Sequence, residues 1–155
     1  MSKRIADDLV LHGGGDGSVH RYWNLQHEAA QYRTEFFAHW REMKLDAVIC
    51  PPFPIAAAPI GCVDHISALV SYTGLYNLLN CPGGVVPVTK VTHSDTEQLK
   101  DYKGHYGDNW DRHIKKANLK STGMPVGVQV VGLPWKDEIC LRLMKEIESG
   151  LQVQA

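Results

Sequence analysis

The sequence predicts a layered α/β fold, on three observations. Val-rich apolar runs occur without strict polar alternation, helical periodicities lie between them, and turn residues mark the boundaries. Leu45 to Cys50, closed by Pro51-Pro52-Phe53-Pro54, is the first strand expected; residues 84 to 91 (GVVPVTKV) and 126 to 132 (VGVQVVG) are the second and third. Strands of this composition belong in a sheet covered by helices on both faces. Three of them alone would leave two apolar edges open, so the sequence reads as part of a larger sheet.

Five or six helices are expected around these strands. Ser2 to Leu11 carries Ile5, Leu9 and Val10 on one side and is stopped by Gly13, Gly14 and Gly15. From Val19 to Asp46 there is no Gly or Pro, and Tyr22, Leu25, Ala29, Tyr32, Phe36, Trp40 and Met43 advance by three or four residues, which predicts a long helix with an aromatic face. Ile66 to Leu79 places Ala68, Tyr72, Leu75 and Leu79 at helical spacing, with Asp64 as its cap and Pro82-Gly83-Gly84 as its stop. Asp95 to Tyr102 and Asp108 to Leu119 are helical on either side of a Gly104 to Gly107 turn. A final helix starts near Asp137, presents Ile139, Leu143 and Ile147, and ends at Gly150. Residues 1–18 form a separate leading piece and 19–155 the body of the domain.

Composition excludes several classes. With 155 residues, 44% of them hydrophobic and 21% charged, the chain has the content of one folded domain with a real core. Sixteen basic against seventeen acidic side chains give a formal charge of -1, which leaves no electrostatic footprint for nucleic acid or a strongly anionic membrane. Cys50, Cys62, Cys81 and Cys140 have no CxxC spacing, and a chain of this size needs no disulfides, so reduced thiols and an intracellular setting are expected. The start, Met1 to Ile5, is charged but lacks the apolar run of a secretory signal, and no stretch reaches the ~18 apolar residues of a spanning helix.

Spacing alone yields no catalytic constellation. Gly13-Gly14-Gly15-Asp16-Gly17-Ser18 has the glycines of a phosphate cradle, but no strand precedes it and no Gly-Lys-Ser/Thr opens the next helix. It reads as an interhelix linker. The eight histidines show no HExxH or comparable ligand spacing, so neither a metal nor any other cofactor is expected. Ser67, Ser71, Ser94 and Ser121 lack the GxSxG elbow that would present a nucleophile. Tyr72, Tyr76, Tyr106 and Trp110 suit either an apolar ligand pocket or ordinary core packing.

Four stretches together resemble the fatty acid amide hydrolase branch of the amidase signature enzymes: LDAVICPPFP, SYTGLYNLLNCPGGVVPVTKVT, YKGHYGDNWD and GMPVGVQVVGLPWKDEICLRLMKEIE. The last holds the Gly-x-Pro-Val-x-Val-Gln-x-Val pattern (Gly123, Pro125, Val126, Val128, Gln129, Val131) found near the C-terminus across that family. The resemblance implies the C-terminal portion of the amidase signature fold, a mixed sheet covered by helices. It also implies a parent enzyme that cleaves fatty acid amides and N-acylethanolamines to fatty acid and amine. In the family the nucleophilic serine, a second serine and a lysine lie in an upstream Gly/Ser-rich signature, and no such signature stands in these residues. The expectation is therefore an incomplete, non-catalytic portion with no catalytic residues of its own, since an unassisted hydroxyl is a poor nucleophile.

By the same resemblance, Ser67, Val70, Gly74, Tyr106 and Trp110 fall where the family lines its acyl channel, and Leu11 at the end of a hydrophobic cap that rests on endomembranes. Residues 1–18 would be the remnant of that cap. Gly74 departs from the family pattern, which has a larger apolar residue there, so acyl-length preference does not carry over. The partners implied are a fatty acid amide substrate, peripheral membrane contact, and a homodimer or pairing with the missing N-terminal part. A competing reading of a different class is a non-catalytic lipid-binding or subunit-pairing module.

Overall fold

A computed structural model describes residues 18–57, 60 and 67–152. The chain divides between Asp46 and Ala47 into two units. The helix expected over Ser2 to Leu11, and with it Leu11, lies outside the described residues.

In the first unit, α1 spans Val19–Glu42. Ser18 is its N-cap, with extended backbone and an Oγ that accepts the Arg21 N–H at 3.4 Å. Tyr32, Phe36 and Trp40 repeat every four residues, so their rings follow one another along one face with centroids 6.1 and 6.0 Å apart. The helix stops at Glu42, with Met43, the last of the expected periodic positions, as its C-cap. Lys44 turns left-handed (φ 53), its N–H bonds the Arg41 carbonyl, and the Leu45 N–H reaches back to Trp40 at 3.3 Å. That is a Schellman termination built on a lysine instead of a glycine. The Trp40 indole N–H donates to the Leu45 carbonyl at 2.6 Å and anchors the turn.

The second unit holds the sheet. Strands β1 (Ala47–Cys50), β2 (Gly83–Lys90) and β3 (Pro125–Gly132) are ordered β1-β3-β2, antiparallel at both ladders. Helix α2 (Ser71–Leu78), preceded by a 3-10 turn over Ser67–Val70, connects β1 to β2, so the last strand is inserted between the first two. The helix expected over Ile66 to Leu79 is thus split in two, and Asp64 lies outside the described residues. Between β2 and β3 lie α3 (His93–Gln98), a 3-10 turn over Leu99–Asp101, and α4 (Asn109–Asn118). Helix α5 (Asp137–Gln152) closes the chain and runs through Gly150, where the sequence had suggested a stop. The described residues therefore hold five α-helices and a three-stranded sheet, a mixed α/β architecture.

Central position explains burial. Gln129, Val130, Val131 and Gly132 of β3 are all buried, whereas Ile49 of β1 and Val85 of β2 are about half exposed. Alternation along β3 assigns its two faces. Gly132 and its face meet α5: a side chain at Gly132 would strike the Cys140 sulfur, and one at Gly84 would strike Met144. On the opposite face the Gln129 amide donates to the Tyr72 carbonyl of α2 at 3.3 Å. The edges are managed locally, since β1 has four residues and β2 carries Pro87 with an irregularity between Pro87 and Thr89.

Candidate functional site

A concavity of about 960 Å³ lies within the second unit on the α2 side of the sheet. Its floor is Val85 and Pro87 of β2 with Val126 and Gly127 of β3. One wall is the segment Pro51–Ala57 that leaves β1, together with Tyr72 of α2. The other wall is Thr92, Thr96 and Leu99 around α3, with Asn118 and Ser121 at the end of α4. Gly127 is required on the floor: a Cβ there would come within 2.8 Å of the Val85 side chain. The groove is thus apolar along the proline segment and polar at the α3 end, the mixture expected of a site that holds a largely apolar ligand by a few polar contacts.

Buried polar groups lie beside it. Gln129 donates to Cys50 Sγ at 3.3 Å as well as to Tyr72, and the Cys50 thiol donates to the Tyr76 hydroxyl at 3.5 Å. Burial, reinforced by the Cys50 contact, pushes the Tyr76 phenol up to about 12, so it stays neutral. Burial likewise raises Cys81, to about 11, and Cys140. These two thiols are protonated near neutral pH and poor nucleophiles. Two of the serines are tied locally: Ser121 Oγ donates to the Asn118 carbonyl at 2.7 Å and Ser94 Oγ accepts from Gln98 at 3.2 Å. Among the described residues no group of three or more His, Cys, Asp or Glu is placed to hold a metal, and no helix is long and apolar enough to cross a membrane.

The channel residues named from sequence fall on two elements. Val70 ends the 3-10 turn that Ser67 begins, and Gly74 lies on α2 with open space where a Cβ would stand. Tyr106 is in the loop before α4 and Trp110 in its first turn; both are exposed, Tyr106 at 82%. Val70, Gly74, Tyr106 and Trp110 do not line the groove, although Tyr72, between Val70 and Gly74, does. The groove wall that sequence reasoning missed is Pro51–Ala57. Pro51, Pro52 and Pro54 read as a strand stop, yet three prolines in four residues also present apolar surface with few N–H donors.

The amidase family profile matches residues 9–141. The chain belongs to the amidase family. This amidase-family chain is 47% identical over 131 residues to a protein of Sus scrofa named fatty-acid amide hydrolase 1, an alignment covering 84% of the chain and 22% of that relative. It is 43% identical over 118 residues to fatty acid amide hydrolase 1 of Caenorhabditis elegans, covering 76% of the chain and 20% of the relative. A solved structure of a fatty acid amide hydrolase superposes on 86% of the chain and 24% of its own length with a TM-score of 0.66, at 24% identity, and so bears on the fold. The amidase-family chain therefore spans about a fifth of the length of the curated relatives it matches.

Proposed function

We propose that these residues form the acyl-binding wall of an amidase of the fatty acid amide hydrolase type, one that hydrolyses fatty acid amides and N-acylethanolamines to fatty acid and amine. The observation that carries the reading is the apolar groove of Pro51–Ala57, Tyr72, Val85 and Val126. It lies in a chain 47% identical to a fatty-acid amide hydrolase. Each methylene removed from water into such a groove contributes about 0.8 kcal/mol, so a long acyl chain is rewarded where a short one is not. The bond-breaking machinery, a paired serine and lysine set, is assigned to residues outside this sequence. Endomembrane association belongs to the same reading, through the cap that includes Leu11.

The test uses the 155-residue chain with a fluorescent sixteen-carbon fatty acid, displaced by oleamide. Saturable binding that oleamide competes away, without hydrolysis and without labelling by a fluorophosphonate, is the expected result. Absence of displaceable binding rejects the acyl wall; labelling of any serine rejects the non-catalytic assignment. A second reading, subunit pairing, is favoured by α1, on which Val19, Tyr22 and Trp23 stand exposed. Sedimentation of the chain and of Trp23→Glu separates it: a dimer that the substitution dissociates supports pairing, and a monomer at every concentration dismisses it.

A further inference from the structure

One wall of the groove is made by two elements far apart in sequence: α2 brings Tyr72 to it, and the end of β1 brings Pro51–Ala57. The helix is weakly secured at its start. Its N-cap, Val70, makes no side-chain bond to the first turn, none of its residues Ser71–Leu78 is buried, and Gly74 has open space where a Cβ would stand. Leu79, fully buried, anchors only the far end. Strand β1 has four residues and pairs along one edge, with β3. Gln129 meets both elements at once. It is 6% exposed on the central strand, opposite Cys50 of β1 on one side and Val85 of β2 on the other, one row along the same face from Gly127 and Pro87 of the groove floor. Its amide nitrogen donates to Cys50 Sγ at 3.3 Å and to the Tyr72 carbonyl, in the first turn of α2, at 3.3 Å. The Cys50 thiol extends the link one turn along the helix by donating to the Tyr76 hydroxyl at 3.5 Å.

We propose that Gln129 is a positioning residue: its side-chain amide latches the first turn of α2 to the end of β1 and so fixes Tyr72 and Pro51–Ala57 as one wall of the groove. Burying an amide on a central strand is costly unless it is bonded, and an apolar side chain of the same length would fill the row without that cost. Ser121, the other buried polar residue among those described, bonds within its own turn, at Asn118, whereas the two bonds of Gln129 span 79 and 57 positions of sequence. The nitrogen has two hydrogens and meets two acceptors, one on each element, so a single planar group sets the spacing of β1 and α2. Without it the row stays filled, but α2 and the proline segment shift independently of each other. A ligand must then order the wall itself, which weakens its binding. For its ligand the inference rests on the acyl-wall reading above; the latch itself rests on the hydrogen bonds alone.

The experiment measures binding of fluorescent sixteen-carbon and eight-carbon fatty acids to the full chain and to Gln129→Met, Tyr72→Ala, the Gln129→Met/Tyr72→Ala pair and Val130→Ala. Amide hydrogen exchange is followed in parallel. In Gln129→Met, which keeps the length of the side chain and loses its donors, exchange across Tyr72 to Leu78 should accelerate while Val128 to Val131 of β3 stay protected. The longer acid should bind about tenfold more weakly, as losing wall contact with roughly two methylenes implies, while the shorter changes less than about twofold. Once Tyr72 is alanine, adding Gln129→Met should weaken binding by less than about twofold, because that part of the wall is already gone. Val130→Ala, on the face of β3 that meets α5, should lower the unfolding midpoint and leave both affinities unchanged. Wild-type affinity of Gln129→Met for the longer acid, an equal loss in Val130→Ala, or additive losses in the pair overturns the positioning role alone. A wild-type chain that binds neither acid overturns the acyl-wall reading; faster α2 exchange in Gln129→Met then still supports the latch, and unchanged exchange overturns it as well. Should Gln129→Met unfold β3, Cys50→Ala, which removes the β1 half of the latch, carries the same comparison.

Discussion

Gly104 and Asp111 show how one residue can depend on another seven positions away. At φ 81 an L side chain costs roughly 1–2 kcal/mol from backbone strain alone, and here a Cβ also meets the Asp111 carboxylate. Gly104→Ala is therefore expected to destabilise the second unit by about 2 kcal/mol or more, seen as a lower urea midpoint with an unchanged slope. The ionisation of Asp111 follows from the same geometry. Burial by itself would raise its pKa, but the N–H groups of Tyr106, Gly107 and His105 and the Tyr102 hydroxyl together hold it below the usual carboxylate range. Asp95 is lowered too, by the Thr92 N–H and hydroxyl. A carboxylate depressed in the folded state stabilises fully above its unfolded pKa, near 4, and loses that contribution as pH falls through the lower folded value. Exchange protection at Tyr106 and Gly107 should accordingly be flat from pH 7 to about 5, after correction for intrinsic exchange rates, and fall below about pH 4. Protection that instead weakened above neutral pH would contradict this assignment.

At the scale of elements, most boundaries are decided by caps. Thr92 and Asp95 form a capping box, with the Thr92 N–H donating to Asp95 at 2.8 Å and the Asp95 N–H to Thr92 Oγ1 at 3.2 Å. This starts α3 at His93, two residues before the expected Asp95. Thr92→Ala should cost about 1 kcal/mol, measured by thermal unfolding, because the helix it opens is short and has little else to hold it. The two Schellman terminations use Lys44 at φ 53 and Asn80 at φ 55 where glycine is the usual choice. Lys44→Gly should therefore stabilise by up to about 1 kcal/mol, the relief of left-handed strain outweighing the extra entropy of the unfolded glycine; a destabilised variant would show that the lysine stem is needed for packing. These endings were hard to read from sequence. Lys44 and Asn80 carry no glycine signal, so only the end of the apolar periodicity at Met43 marked the close of α1, whereas Gly150, a strong stop signal, lies inside α5.

For the molecule as a whole, the inserted strand is the organising fact. Placing β3 between β1 and β2 buries Val130 and Val131 completely and lets both α2 and α5 close on it. Leu79, fully buried just after α2, belongs to the same core, and Leu79→Ala should cost about 2–5 kcal/mol by the equilibrium unfolding midpoint. A loss under about 1 kcal/mol would mean that this region does not unfold with the sheet. Ile49 and Val85, on the strands that flank β3, stay about half exposed, Val85 on the floor of the groove.

Local order was largely written in the residues themselves. The Val-rich runs, the uninterrupted periodicity of α1 and the Gly-x-Pro-Val-x-Val-Gln-x-Val pattern specified strands, helices and family, because each depends on neighbours within a few positions. The groove was not legible in this way. Pro51–Ala57, Val85, Gly127 and Thr96 are distant in sequence and adjoin only because β3 inserts between its predecessors, a choice made by long-range burial. Equally, nothing in the spacing of Gly104, Tyr106 and Asp111 announces that one carboxylate gathers the loop; that was decided where the turn folds back against α4 and its amides must find an acceptor.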